Sequence, residues 1–478
     1  MPKTFLIDAL KITPFEDHVF FVGGAVRVEI LGFVPKDFDL VVDMDKGAED
    51  LTWYLHNKFP NIVSKPRQLG HFPIWQVSVY DELVEVADTM DENNVFCSLK
   101  EDVLRRDFSV NSLLKNLKDE LIDLTGSLED IKKGVLKIHS DKVFDKDSLR
   151  LLRLIRFCAK FGFKIPLSVL RLSKKEAHKI TNSAPERIIE EFKKIAVTGN
   201  FYKAIKLMKI IGLLKHLLPE IGVLKTTEHD ARHSEGCVLK HTLLVMSHSK
   251  PTLVAQLAAL FHDVGKPATQ NTEIIFFKPE FVGTVPDRKN LKVLSKEEVK
   301  EGIGLPVPVE TIDRKISFID HEDIGADITR ATLERLKFDN DTTNKVVKLV
   351  KLHMRPHFLV KASIKAYRRF IRDCDDMLND VLDLAEADSL GRLPVRNFIP
   401  EIRLKVEEVK AMPVKVKKTA ILNGNEIMEA LGIGPGKKVG EVTKFLIDLE
   451  DTFVEEGLVL TKEDAIEKIK GCLNLPVS

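Results

Sequence analysis

The spacing of apolar and polar positions changes along this chain, and the change divides it. His18–Val22 is a short apolar run that stops at Gly23-Gly24, the pattern of a strand running into a turn. Ala25–Leu31 has helical composition and stops at Gly32. Phe38–Val42 is rich in β-formers, and Phe72–Val86 predicts two strands broken near Asp81-Glu82. From about Asp141 the apolar residues recur every three or four positions, as in Leu149, Leu152, Ile155 and Ala159, with Arg150, Arg153 and Arg156 between them. Helical patterning then continues to the C-terminus, except over residues 271–315. There β-type runs with Pro and Gly predict an insertion. The expected fold is multidomain and mainly α, with an α/β head holding a small mixed sheet.

Composition narrows the class. A chain of 478 residues makes two to four domains, and 44% hydrophobic with 30% charged residues excludes a disordered chain. The longest apolar run, Thr252–Phe261, is about half of what a bilayer span needs, so no membrane partner is expected. The first residues lack a secretory signal pattern. Cys97, Cys158, Cys237, Cys374 and Cys472 are odd in number, scattered and without a CxxC pair. They predict a reduced, cytoplasmic setting. Lys and Arg total 73 against 72 Asp and Glu, which argues against a nucleic-acid partner until it is resolved by segment. Residues 1–140 carry a net −8, residues 141–225 a net +11, and the remainder a net −2. A basic middle follows an acidic head.

The candidate chemistry starts in that head. Gly23-Gly24 at a strand-to-helix junction lets the backbone approach a ligand, and the helix start favours phosphate. Arg27 adds a fork-shaped phosphate donor. Asp37 and Asp39, two apart on a predicted strand, project from one face and suit Mg²⁺, and Glu85 on a neighbouring strand adds a third carboxylate. Arg105, Arg106, Asp107 and Asn111 lie within seven residues, a mixture suited to a triphosphate and a ribose hydroxyl. Asp147, Arg150, Arg153 and Arg156, three apart, predict a stripe along one helix that recognises base and phosphate.

These strings resemble the class II tRNA nucleotidyltransferases, the CCA-adding enzymes, and their relatives the bacterial poly(A) polymerases. The matching strings are Gly23-Gly24-Ala-Val-Arg27, Asp37-Phe-Asp39, Arg105-Arg106-Asp107-Phe108-Ser-Val-Asn111, and Asp147 through Arg150, Arg153 and Arg156 to Phe157. Pro185–Phe192 resembles the neck helix that follows. The resemblance implies template-independent addition of CMP and AMP from CTP and ATP to the acceptor-stem 3′ end of tRNA. Asp37 and Asp39 would hold the metals, and Asp147 with Arg150 would read the incoming base. It also implies a nucleotidyltransferase head over 1–140, a helical neck over 141–225, an all-α HD domain over 226–395 and a helical tail over 396–478. Three positions depart from the family pattern: Val28 stands for an Asp, Lys146 for a Glu, and Ala87–Phe96 is acidic and short where a basic, aromatic loop is usual. That loop bears on the switch from C to A addition, so poly(A), CC-only and A-only enzymes stay open as alternatives.

A second constellation lies downstream. His262-Asp263 with His241 upstream has the spacing of a divalent-metal site, and His321, His353 and Asp388 extend it. The region resembles the HD phosphohydrolases, which implies Mg²⁺ or a transition metal and phosphodiesterase or phosphatase chemistry of the 2′,3′-cyclic type. A third reading keeps only this activity or RNA binding, beside an inactive head. The oligomeric state is open.

Overall fold

Short β-branched runs that bury alternate or all residues build a mixed sheet at the N-terminal end of this computed structural model. The described residues are 2–35, 38–70, 73–80, 82–91, 93–227, 236–282, 285–294, 312–412, 420–455 and 458–472, with backbone alone for 2–3, 272–282, 285–294, 312–315, 451, 454–455 and 471–472. The chain divides into two units, Met1–Val350 with Gly391–Pro394, and Lys351–Leu390 with Val395–Ser478.

In the first unit, α1 (Pro2–Lys11) precedes β1 (Val19–Val22), α2 (Gly23–Ile30), β2 (Phe38–Val42) and α3 (Gly47–Lys58). Then come β3 (Arg67–Gln68), β4 (Ile74–Val79), β5 (Glu82–Asp88), α4 (Leu99–Arg105), β6 (Leu114–Asn116) and β7 (Leu121–Ile122). The seven strands lie in the order β3-β4-β5-β2-β1-β6-β7. β2 and β5 are parallel and their neighbours antiparallel. Four of the five β2 residues are buried, and Asp39 is the half-buried one. A strand buried on both faces with one polar position marks where the sheet opens to a ligand.

Helices follow: α5 (Ser127–Lys133), α6 (Val143–Lys146), α7 (Arg150–Phe161), α8 (Leu167–Glu176), α9 (Pro185–Ala196) and α10 (Phe201–Ile211). α7 buries Leu151, Leu152, Leu154, Ile155 and Phe157 and packs on α9 and α10. Each such side chain is worth roughly 1.5–3 kcal/mol. The helix stops at Gly162, whose φ of 73° suits a left-handed cap. Two short helices, α11 (Leu214–Leu217) and α12 (Pro219–Val223), lead to α13 (Val238–His248) and α14 (Leu253–Phe261). In the stretch expected to be an insertion, Gln270–Val282, Val285–Leu294 and Ile312–Phe318 form a separate antiparallel sheet, with Gln270–Val282 in the middle.

The second unit is helical. Its tail helices Gly424–Leu431, Lys437–Glu455 and Lys462–Cys472 close on Leu422, Ile427, Leu446, Ala465 and Ile469. Residues 432–436 connect the first two of these helices, and Gly440 lies within the second. Among the described residues no helix is long and apolar enough to cross a membrane.

Candidate functional site

The turn between β1 and α2 explains its two glycines. Gly23 has φ +62°, a region L side chains rarely occupy. A Cβ there would lie 3.5 Å from Nη1 of Arg106 and 3.7 Å from Oδ2 of Asp39. The chain thus carries its backbone close to an acid and a guanidinium. In the parallel pair, Asp39 stands in register with Glu85. Lateral partners share a face, so both half-buried carboxylates point the same way. Gln76, the partner of Glu85 on β4, donates from Nε2 to its Oε1 at 3.2 Å. Asp37 lies outside the described residues. Two hard carboxylates side by side beside a glycine turn fit a divalent cation.

Facing these acids is a wall of arginines held by buried acceptors. Asp102, fully buried on α4, takes Nη2 of Arg105 at 2.6 Å on one oxygen and Nη2 of Arg106 at 2.8 Å on the other. Asp107 accepts from its neighbour Phe108 N at 2.9 Å, Asn111 Nδ2 at 2.7 Å and Arg153 Nε at 2.6 Å. Burial alone would raise its carboxyl, but Arg153, Asn111 and Arg150 hold it below the usual carboxylate range. Arg27 donates from Nη1 to Oδ1 of Asn111. Burial, with help from Arg156 and Arg153, brings its guanidinium down to about 10, and it still carries its charge at neutral pH. Arg156 donates to Glu191 on α9 at 2.7 Å, and Arg150 reaches the backbone carbonyl of Arg105 at 3.2 Å.

The structure corrects the expected four-residue stripe. Asp147 is not on the helix with the arginines. It is extended (φ −151°, ψ 106°), and α7 starts at Arg150. The carboxylate accepts from Leu149 N at 3.1 Å, the turn-forming habit of Asp just ahead of a helix. Its other oxygen pairs with Arg187 of α9 at 2.8 Å rather than with Arg150. Sequence reasoning passed over Arg187, Glu191 and Asp102. The 102/105/106 spacing on one helix was the available signal for the last. Nothing local points from Asp147 to a residue 40 positions on. Together Gly23, Gly24, Arg27, Asp39, Glu85, Arg105, Arg106, Asp107, Asn111, Asp147, Arg150, Arg153, Arg156 and Arg187 line one open cleft of about 730 Å³. A triphosphate fits such a wall, because its charge is what the acceptors leave uncompensated.

The second cluster is drier. His241, His262, Asp263 and His321 are all buried within the first unit. Nδ1 of His262 faces the Ala259 carbonyl at 2.8 Å, that of His321 the Phe318 carbonyl at 2.7 Å, and that of His241 the Gly391 carbonyl at 3.3 Å. A carbonyl only accepts, so each Nδ1 carries its hydrogen and each Nε2 is left for the interior. Those of His241 and His262 are 3.3 Å apart, and Asp263 lies 3.2 Å from His262 and 3.5 Å from His321. Burial would raise the Asp263 carboxyl, yet the His262 ring and the Lys266 ammonium beside it hold it well below the ordinary value. Lys266 sits at 2.6 Å. Gly265 is required, because a Cβ there would meet the His321 carbonyl oxygen at 2.1 Å. The donor set of three imidazole nitrogens and a carboxylate fits a divalent metal. His353 and Asp388 belong to the second unit, where both are buried, and Asp388 lies 2.9 Å from Nε2 of His357.

Fold and site define a nucleotidyltransferase head carried on helices with an HD-type metal cluster, and comparison with known proteins agrees. Residues 19–137 match the Poly A polymerase head domain and 162–224 the probable RNA and SrmB-binding site of polymerase A. Residues 231–390 match the HD domain and 317–469 the putative tRNA nucleotidyltransferase domain 2. The chain is 31% identical to the CC-adding tRNA nucleotidyltransferase of Thermus thermophilus, over 93% of its own length and 92% of that protein. It is 26% identical to the A-adding tRNA nucleotidyltransferase of Deinococcus radiodurans, over 91% and 92%. The chain belongs to the tRNA nucleotidyltransferase family and is a nucleotidyltransferase. The Thermotoga maritima CCA-adding enzyme complexed with tRNA shares the fold, with a TM-score of 0.58 at 21% identity over 99% of this chain and 96% of that one. Both of its families, head and HD, use divalent metals.

Proposed function

We propose that this chain adds CMP and AMP, without a nucleic-acid template, to the 3′ end of tRNA, using CTP, ATP and Mg²⁺. The observation that carries the reading is the register pairing of Asp39 with Glu85 opposite the arginine wall of one cleft. Asp37, Asp39 and Glu85 would hold the metal, which when bound activates the terminal 3′-hydroxyl and stabilises the leaving pyrophosphate. Gly23, Gly24, Arg27, Arg105, Arg106 and Asn111 bind and orient the triphosphate and ribose, with Asp107 fixing Asn111. Asp147 and Arg150 present acceptor and donor groups to the base edge, and Arg153 and Arg156 beside them serve base and phosphate recognition. Residues 1–140 then act as head, 141–225 as neck, 226–395 as HD domain and 396–478 as tail. The +11 neck is where phosphates of an acceptor stem would be neutralised.

A second reading, CC-only addition, is favoured by the loop after β5. Asp91 accepts from Asn93 N at 2.8 Å and Val95 N at 2.9 Å, Met90 bridges Phe96, and so the segment is pinned on itself. The 31% identical relative is a CC-adding protein. The test supplies tRNA lacking its 3′ end with CTP and ATP, separately and together, and sequences the termini. C, C and A added by wild type and lost in Asp37→Ala plus Asp39→Ala supports the first reading. Termination at CC selects the second, and no addition to any RNA removes both. For the HD cluster we propose phosphohydrolysis at a divalent metal held by His241, His262, Asp263 and His321. Equal metal content and equal hydrolysis of bis-p-nitrophenyl phosphate by wild type and His262→Ala plus Asp263→Ala would overturn it.

A further inference from the structure

Three guanidiniums meet over one aromatic ring. The guanidinium carbon of Arg27 lies 4.7 Å from the Phe157 ring centroid, that of Arg156 4.8 Å and that of Arg153 5.8 Å. All three fall within the roughly 6 Å over which a ring face attracts a cation. Phe157 is 1% exposed and is held edge-on by Phe108, at 5.6 Å and 88°, so it has little freedom to leave. The counter-charges are unequally shared. Asp107 takes Arg153 and Glu191 takes Arg156, while Arg27 bonds the neutral amide of Asn111. Nε of Arg27 is buried without a hydrogen-bond partner among the described residues.

Like charges so close repel, and burial removes the water that would screen them. A carboxylate beneath Arg27 would relieve this but would compete with an incoming phosphate. A ring face attracts the cation without neutralising it. We propose that Phe157 is a positioning residue: its ring gathers Arg27, Arg153 and Arg156 into one anion-binding wall and thereby sets affinity for the nucleotide's triphosphate. The identity of that anion rests on the functional reading above, whereas the ring's action on the three guanidiniums does not.

The test measures binding of inorganic tripolyphosphate by calorimetry, together with KM and kcat for CTP and the midpoint of thermal unfolding. Phe157→Leu is expected to raise the tripolyphosphate Kd and the KM for CTP by about tenfold, with kcat within about twofold. Phe157→Tyr, which keeps the ring, should stay within about twofold of wild type in both. Phe157→Met removes the ring with an unbranched chain should the Leu variant fail to fold. Phe192→Leu, in the same neck and facing Phe201 at 5.2 Å, measures what loss of aromatic packing alone does to the midpoint. The proposal is overturned if Phe157→Leu and Phe157→Met lower the midpoint as Phe192→Leu does but leave tripolyphosphate Kd unchanged. Equal damage from Phe157→Tyr and Phe157→Leu would also overturn it. Ring-dependent tripolyphosphate binding in a protein that adds no nucleotide would sink the functional reading and sustain this one.

Discussion

Asp107→Asn isolates the acceptor that holds the arginine wall. The native carboxylate offers only acceptors, to Phe108 N, Asn111 Nδ2 and Arg153 Nε. An amide must turn its NH₂ toward one of these donors, so one contact becomes donor against donor. Removing one partner of a buried pair costs about 3–5 kcal/mol, but the Arg153 side chain is 34% exposed, and water replaces part of the loss. About 2–3 kcal/mol remains, a fall of about 3–4 °C in the midpoint for a first unit of this size. Trp53 and Trp75, the only tryptophans in the chain, both sit in the head, so their fluorescence reports its melting. The variant's wall is also less compensated, so tripolyphosphate should raise the variant's midpoint more than the wild type's. A carboxyl held low in the folded state contributes stability above its unfolded pKa of 3.8 and loses it as pH falls through the folded one. Wild type should therefore lose stability more steeply than the variant below about pH 4. A midpoint change under about 1 °C, or smaller tripolyphosphate rescue in the variant, would refute the reasoning.

Asp88 gives the opposite sign. Burial pushes its carboxyl up to about 6, although Ala48 N donates to it at 2.6 Å. The folded state thus prefers the neutral acid, and stability is lost as pH rises from about 4 to 6. Asp88→Asn should raise the tryptophan-detected midpoint at pH 7.5 and bring little or no gain at pH 4; an equal gain at both would count against it. Arg187→Met takes away the partner of Asp147 at a half-exposed site, a pair worth about 0–1 kcal/mol, so the midpoint should move by less than about 2 °C. The ratio of C to A incorporation should nevertheless shift by at least about threefold in single-nucleotide assays. An unchanged ratio would show that the pair leaves base choice untouched.

Much of the head was legible because its information is local. A Gly-Gly turn, an alternating strand and a Pro- or Gly-bounded run each state their own conformation within a few residues. The helix carrying Arg150, Arg153 and Arg156 was legible for the same reason, since its apolar face repeats at a helical period. Asp147 was misplaced because its spacing fits a helix as well as a cap, and only the turn made with Leu149 N separates the two. Arg187 and Glu191 were invisible as partners because α7 must pack on α9 before either meets its counterpart. In the HD cluster the carbonyls that orient His262 and His321 lie three residues back in their own segments, whereas His241 is turned by Gly391, 150 positions on, which no spacing rule encodes.

The sequence by itself determined the kinds of chemistry present: carboxylates near a glycine turn, an arginine-bearing helix, and a His-Asp step with spaced histidines. These follow from side-chain identity and backbone period. The tertiary structure alone decided which charges compensate which. Asp39 meets Glu85 because a parallel pair sets their register, Asp102 holds Arg105 and Arg106 while Asp107 holds Arg153, and Phe157 lies beneath three guanidiniums. Electrostatic partnership depends on distance and burial, and both are properties of the packed chain rather than of its order.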